Sequence, residues 1–156
     1  MRVSLIIPSL NAPTLRNGLL AVQKQTRHPE EIIVVGRDDE GVLRSFPEVR
    51  FVDTKEPVCA AKARNIGMLT ASGDIFLFLD ADCLPEPEWL EIHLENHING
   101  ATIVGGSVSL EGSNYWAQSD NVSMFHDFVP QQPSGSRFLL PTLNLSVRRE
   151  VVDEVG

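Results

Sequence analysis

The sequence predicts an α/β fold whose mainly parallel sheet is covered by helices on both faces, and three observations carry this. Short apolar runs alternate with single helical segments through the first half of the chain. These runs are rich in β-branched and large aliphatic residues, the pattern of strands buried on both faces. Polar or glycine-bearing segments (Pro8 to Asn11, Gly36 to Asp39 and Asp80 to Asp82) come directly after three of the runs. They sit at the carboxyl ends of strands, where open α/β sheets gather their ligands.

Taken in order, Val3 to Ile7 is β-branched at three of its five positions and stops at Pro8. Asn11 to Gln25 places Leu15, Leu19 and Val22 at i, i+4 and i+7, a helical stripe, with Asn11 and Pro13 at its entrance. Glu31 to Val35 and Val49 to Val52 read as the second and third strands. Ala60 to Ala71 is an alanine-rich helix closed by Ser72-Gly73, and Asp74 to Leu79 holds the most apolar strand, Ile-Phe-Leu-Phe-Leu, running into Asp80. Strands separated by single helices form βαβ units, hence a parallel sheet with right-handed crossovers.

Beyond Asp82 the pattern changes. Pro85 and Pro87 prepare a helix entrance, with Pro87 suited to the first helical position. Glu88 to His97 continues as an amphipathic helix offering Trp89, Leu90, Ile92 and Leu94 for burial. Ile103 to Leu110, broken by Gly105-Gly106, reads as a strand, Asn114 to Phe128 as mixed helix or loop, and Pro130 to Ser136 as a turn. Phe138 to Val147 reads as strand and connector, and Arg149 to Val155 as the start of a helix. No linker interrupts the chain, so residues 1–156 are expected to form one domain.

The 156 residues suffice for one buried core. A formal net charge of −8 argues against a sequence-independent nucleic-acid binder. An acidic protein can still hold a nucleotide diphosphate through a divalent cation and one or two arginines. Two cysteines, Cys59 and Cys83, make neither a disulfide framework nor a four-cysteine zinc site. Each reads as a small buried hydrophobe in a reducing compartment. No apolar stretch is long enough for a bilayer and no signal-peptide pattern opens the chain, so a cytoplasmic setting is expected, with the inner face of a membrane left open.

The local signal with most chemistry in it is Asp80-Ala81-Asp82. In extended backbone, residues i and i+2 face the same side, so both carboxylates would enter one crevice and repel unless a cation intervenes. Mg²⁺ suits such a pair, completing its shell with water and phosphate oxygens. In isolation the motif would read as a capping aspartate beside a solvated one; its place at the end of a buried strand favours the metal. His93 and His97 share the i, i+4 spacing of zinc helices but lack their glutamate placement, and are expected to be exposed or partly buried. Tyr115, Trp116 and the Phe125 to Phe128 stretch read as core packing before an acceptor wall.

Ser4-Leu-Ile-Ile-Pro8-Ser-Leu-Asn11 resembles the opening strand of family 2 glycosyltransferases. Ala63-Arg64-Asn65-Ile-Gly67, Ala71-Ser-Gly73-Asp74 and Phe76-Leu-Phe-Leu-Asp80-Ala-Asp82 are similar to that family's central block in order and spacing. Pro141-Thr-Leu-Asn144-Leu-Ser-Val-Arg148-Arg149 resembles its acceptor-side block. The resemblance implies a GT-A-like three-layer sandwich and a metal-dependent, inverting transfer of sugar from a nucleotide-diphosphate donor, uridine being the commonest. It implies that Pro8, Ser9 and Asn11 line the nucleoside pocket and that Arg64 lies near the nucleotide. Asp80 would approach the ribose or the metal shell, and across Ala81 Asp82 would ligate Mg²⁺ or Mn²⁺. Asn144 and Arg148 fall on the acceptor side, and for Asn65 and Asn144 capping or turn roles weigh equally with ligand contact.

Two departures from the family pattern stand out. The usual base-reading Asp-Asp pair directly after the second strand is replaced by Gly36-Arg37-Asp38-Asp39, so either Asp38 or Asp39 would take that role or base recognition differs from the family's. The acidic pair that supplies the general base in complete members has no counterpart before Gly156. The expectation is a chain that lacks the C-terminal part of the family domain and binds donor better than it catalyses transfer. The acceptor would be a sugar, lipid or protein hydroxyl, and self-association or peripheral membrane contact is left open. A sugar-1-phosphate nucleotidyltransferase is disfavoured because Ser9 to Pro13 is neither glycine-rich nor basic. A non-catalytic nucleotide-sugar-binding fragment is the other reading.

Overall fold

The computed structural model describes residues 1–109, 119 and 122–155. Six strands form one sheet in the order β3-β2-β1-β4-β6-β5. They are β1 (Val3–Leu10), β2 (Glu31–Arg37), β3 (Val49–Asp53), β4 (Ile75–Leu79), β5 (Ile103–Gly105) and β6 (Asn144–Arg148). The four strands β3, β2, β1 and β4 are parallel, as the βαβ pattern predicts, whereas β6 runs antiparallel to both β4 and β5. The sheet is therefore mixed, with its antiparallel part confined to one side.

Helices α1 (Leu15–Val22), α2 (Ala60–Thr70), α3 (Trp89–Ile98) and α4 (Arg149–Val155) cover the sheet. Alternation along the strands sorts side chains between the two faces. Val3, Leu5 and Ile7 of β1 and Ile75, Leu77 and Leu79 of β4 pack with Leu15, Leu19 and Val22 of α1 and Leu90 and Leu94 of α3. On the opposite face, Ile6, Phe76 and Phe78 meet Met68 of α2 and Val151 and Val152 of α4, and Ile33 and Val35 meet Ala63. The result is the expected three-layer sandwich. Each fully buried aliphatic side chain contributes roughly 1.5–3 kcal/mol, and the three on α1 hold that short helix in place.

Small residues set how closely α2 approaches. Ala63 and Gly67 are its buried positions. A Cβ on Gly67 would lie 2.4 Å from Ile6 Cγ2, so only glycine permits this distance. At the amino ends of the strands, Glu31 accepts the Ser4 and Ser72 hydroxyls at 2.6 and 2.9 Å, and Ser4 Oγ accepts the Gly73 amide at 2.8 Å. Burial raises the Glu31 carboxyl, but these bonds outweigh it and hold the group below its ordinary range.

Several expectations need correction. Helix α1 is shorter than Asn11 to Gln25, because Asn11 adopts φ 53° and residues 12–14 form a turn before the first helical residue. Helix α3 starts at Trp89, leaving Pro87 outside it with its carbonyl accepting the Thr26 amide at 2.9 Å. Ile92 points outward, 54% exposed, while Trp89, Leu90 and Leu94 are buried. The strand expected over Ile103 to Leu110 ends at Gly105, and that over Phe138 to Val147 begins only at Asn144. Phe138 is fully exposed. Cys59 is exposed, not buried. Tyr115 and Trp116 lie outside the described residues.

Candidate functional site

The carboxyl ends of β1, β2 and β4 lie side by side, and their loops carry most of the singled-out residues. At the end of β1, Pro8 is half-buried and Ser9 is buried, with its hydroxyl unpartnered among the described residues. Gly36 of β2 lies against Ser9: a Cβ there would sit 1.9 Å from the Ser9 carbonyl oxygen, and its φ is +138°. Glycine is required at this close crossing.

Asn11 and Asp39 join the two loops reciprocally. Asn11 Nδ2 donates to Asp39 Oδ2 at 2.7 Å, and the Asp39 amide donates to Asn11 Oδ1 at 2.8 Å. Asp39 is also paired with Arg37, and the Arg37 and Asn11 hydrogen bonds hold its carboxyl below the usual range. Asp38 is differently employed. Its two carboxylate oxygens each accept a backbone amide, from Val42 and Leu43 at 2.9 Å, capping the 3-10 turn Val42–Ser45. Of the two candidates in this loop, Asp39 is the exposed one that is tied to the end of β1.

At the end of β4 the strand stops at Leu79, and the Cys83 amide donates to the Asp80 carbonyl at 3.0 Å. Asp80 to Cys83 is thus a turn, so the two carboxylates are not aligned by strand alternation, contrary to the expectation from extended backbone. Asp80 is half-buried, Ala81 buried and Asp82 exposed. The first turn of α1 supports this segment: Thr14 Oγ1 donates to the Ala81 carbonyl at 2.9 Å, and a Cβ on Gly18 would stand 3.2 Å from the Cys83 carbonyl oxygen. Burial and the neighbouring Asp82 and Asp80 carboxylates push the Cys83 thiol up to about 12, so it is inert as a nucleophile.

Arg64, on α2, forms an ion pair with Asp80; the two side chains are 13% and 33% exposed. The guanidinium Nε is buried without a hydrogen-bond partner among the described residues. One cation and one carboxylate are thereby held against each other at the strand end, while Asp82 joins no ion pair among the described residues. No group of three or more His, Cys, Asp or Glu side chains able to hold a metal occurs among the described residues. The oxygen donors of Asp80 and Asp82 nonetheless fit a hard divalent cation that takes one or two carboxylates and fills its shell with diphosphate oxygens and water.

The two residues expected on the acceptor side lie apart from each other. Antiparallel pairing sets Asn144 opposite Leu79 but Arg148 opposite Ile75, at the amino end of β4, four residues and about 13 Å away. Asn144 faces inward: its Oδ1 accepts from Trp89 Nε1 at 2.7 Å and from His93 Nε2 at 2.9 Å, and its Nδ2 donates to the Ser107 carbonyl at 2.8 Å. Arg148 donates to the His97 carbonyl at 2.6 Å. His93 and His97, expected to be exposed or partly buried, are 3% and 0% exposed and both reach Ser146. Their i, i+4 spacing was the available signal, since it puts them on the buried face with Leu90 and Leu94.

The family model for glycosyl transferase family 2 matches residues 4–156. The chain belongs to this family. A glycosyltransferase of Haloferax volcanii, AglE, is 32% identical, aligned over 99% of this chain and 55% of its own length. WfgD of Escherichia coli, a UDP-Glc:alpha-D-GlcNAc-diphosphoundecaprenol beta-1,3-glucosyltransferase, is 30% identical over 97% of this chain and 60% of its own length. The chain therefore spans somewhat over half of these relatives. Among solved structures, Staphylococcus aureus TarS 1-349 in complex with UDP superposes with a TM-score of 0.75 at 18% identity, covering 99% of this chain and 49% of that one. TarS 1-349 in complex with UDP-GlcNAc gives 0.65 over 74% of this chain and 36% of that one, also at 18% identity. The family 2 chain has the GT-A-like fold of these structures.

Proposed function

We propose that this family 2 domain binds a nucleotide-diphosphate sugar, most simply a UDP-sugar, across the carboxyl ends of β1, β2 and β4. We infer that the protein transfers the sugar to an acceptor hydroxyl with inversion. The observation that carries the reading is the placing of the Asn11–Asp39 pair, the Arg64–Asp80 pair and Asp82 at the carboxyl ends of three neighbouring strands. Asp39 is the carboxylate for the base, Ser9 offers a buried hydroxyl for the nucleoside, and Arg64 brings a permanent cation to the diphosphate. TarS structures with UDP and UDP-GlcNAc support the donor class. WfgD is a β-glucosyltransferase using UDP-Glc, and a β product from that α-configured donor requires inversion, which supports the stereochemistry.

Asp82, with Asp80, would hold Mg²⁺ or Mn²⁺, which supplies Lewis-acid stabilisation of the leaving diphosphate. The chain's own residues position the donor. Thr14 and Gly18 fix the Asp80–Cys83 turn from below, and Arg64 orients Asp80. The acceptor is a sugar, lipid or protein hydroxyl. Titration calorimetry with UDP, with and without Mn²⁺, tests the reading. Wild-type protein should bind UDP more tightly with Mn²⁺, and Asp82→Asn should lose that gain while keeping its unfolding midpoint. Metal-dependent binding that survives in Asp82→Asn would remove Asp82 as a ligand, and no UDP binding under either condition would overturn the proposal.

A further inference from the structure

A buried chain of polar groups runs between α3 and β6, away from the strand-end loops. His97 Nδ1 lies 2.8 Å from the Ala101 carbonyl and His97 Nε2 2.7 Å from Ser146 Oγ. Ser146 Oγ lies 2.7 Å from His93 Nδ1, and His93 Nε2 2.9 Å from Asn144 Oδ1. The two ends have fixed polarity. The Ala101 carbonyl only accepts, so His97 Nδ1 must carry a hydrogen. Asn144 cannot be flipped, because the donor-only Trp89 indole meets its Oδ1 and the Ser107 carbonyl meets its Nδ2. His93 Nε2 must therefore carry a hydrogen as well.

Counting hydrogens exposes a shortage. Two neutral imidazoles and one hydroxyl hold three hydrogens for the four contacts. With both rings neutral, His93 Nδ1 and His97 Nε2 are both acceptors, and the single Ser146 hydrogen can satisfy only one. One added proton completes the chain from Ala101 to Asn144; a second would point both rings at the Ser146 oxygen, leaving its hydroxyl hydrogen without an acceptor and two cations on one hydroxyl.

We propose that His93, Ser146 and His97 form a single-proton binding site, in which the proton resides on His97 and His93 stays neutral with its hydrogen on Nε2. The placement on His97 rests on its position in the last turn of α3, where the helix carbonyls favour a cation. The charged group facing it from β6 is Arg148, which donates to the His97 carbonyl and is itself paired with Glu150 of α4. The other surroundings are Val3 of β1, Ile75 and Leu77 of β4, and Leu90 and Leu94 of α3, none of them titratable. Ile103–Gly105 of β5 adds none, and Glu91 and Glu95 of α3 face solvent. Burial lowers both rings, taking His93 to about 4, and His97 is lowered by burial and by Arg148. The site is thus empty at neutral pH and fills only below the ordinary imidazole value of 6.5. Filling turns the Ser146 hydroxyl toward His93 permanently and ties α3 to β6.

Ring-nitrogen NMR of the two histidines in the wild-type protein, from pH 8 to 4, tests this without reference to glycosyl transfer. His97 should titrate first and alone, with His93 keeping its Nε2–H form until the pH is more than about one unit lower, as expected for strongly coupled sites. His93 titrating first, the two titrating together near 6.5, or His93 carrying its hydrogen on Nδ1 at neutral pH would each overturn the proposal. In Ser146→Ala the first proton no longer completes a chain, and the His97 titration should move to lower pH by about one unit, a tenfold weaker proton affinity. An unmoved His97 titration in that variant would show that the hydroxyl is no part of the site; if the variant does not fold, the wild-type titration decides alone.

Discussion

Asp38 and Asp39 are neighbours of the same chemistry, and their hydrogen bonds separate them. Both oxygens of Asp38 are consumed by the Val42 and Leu43 amides, whereas the exposed Asp39 meets Asn11 and Arg37 past the carboxyl ends of β1 and β2. Asp38→Ala should behave as a lost cap, costing about 0.5–2 kcal/mol of stability while leaving the ranking of UDP, GDP and TDP affinities unchanged. Asp39→Ala should leave stability nearly intact and flatten that ranking. A lost hydrogen bond to a charged group is worth about 1.5–3 kcal/mol, roughly tenfold to a hundredfold in affinity. Calorimetry with the three diphosphates beside urea unfolding distinguishes the two, and the opposite pattern would reassign base reading to Asp38.

At the scale of elements, α2 is the part whose packing the proposed nucleotide site depends on, because it carries Arg64 three residues before Gly67. Gly67→Ala gains about 1 kcal/mol of helix propensity. It also places a methyl 2.4 Å from Cγ2 of Ile6, a residue with no exposed surface. Overpacking of this kind costs about 1–3 kcal/mol, so the clash outweighs the propensity. Urea unfolding should show net destabilisation, and UDP affinity should fall because α2 shifts outward and takes the Arg64 guanidinium from Asp80. Unchanged affinity in a destabilised variant would show that the site tolerates movement of α2.

For the whole molecule, acid sensitivity should come in two stages. His93 is buried and neutral, its folded value taken to about 4 by burial from an ordinary 6.5. A lowered folded value means that its contribution is complete above about pH 6.5 and is lost as the pH falls toward 4, amounting to about 3 kcal/mol. Glu31, held below its ordinary 4.5, keeps its contribution above that value and loses it at more acid pH. His97, lowered by burial from the same 6.5, adds to the His93 loss, so denaturant unfolding between pH 7.5 and 4 should slope downward before any carboxylate titrates, and replacing both imidazoles, His93→Gln together with His97→Gln, should remove that first slope. A flat profile from pH 7 to 5 would contradict the burial of a neutral imidazole. Among the described residues no helix is long and apolar enough to cross a membrane.

The parallel half of the sheet and the gathering of the singled-out loops at its carboxyl end were legible in the sequence, because both rest on local information. Continuous apolar runs such as Ile75 to Leu79 mark strands buried on both faces, single helices between them impose parallel pairing, and the residues just past each strand must lie at its carboxyl end. The stripe Leu15, Leu19 and Val22 fixed the buried face of α1 in the same way, and the Asp80-Ala81-Asp82 motif declared itself by its place after the most apolar strand. What the tertiary structure alone decided depends on partners far apart in the chain. Strand β6 enters antiparallel between β4 and β5 because its pairing partner lies about seventy residues earlier, which no local period encodes. The Asp80–Cys83 turn replaces an extended strand end because Thr14 and Gly18 of the α1 entrance pack against it. His93 and His97 are buried because Ser146 and Asn144, about fifty residues on, supply the hydrogen bonds that make burial of an imidazole tolerable. Periodicity can say which face a residue occupies; whether a polar group may stay there depends on the partner that the fold brings to it.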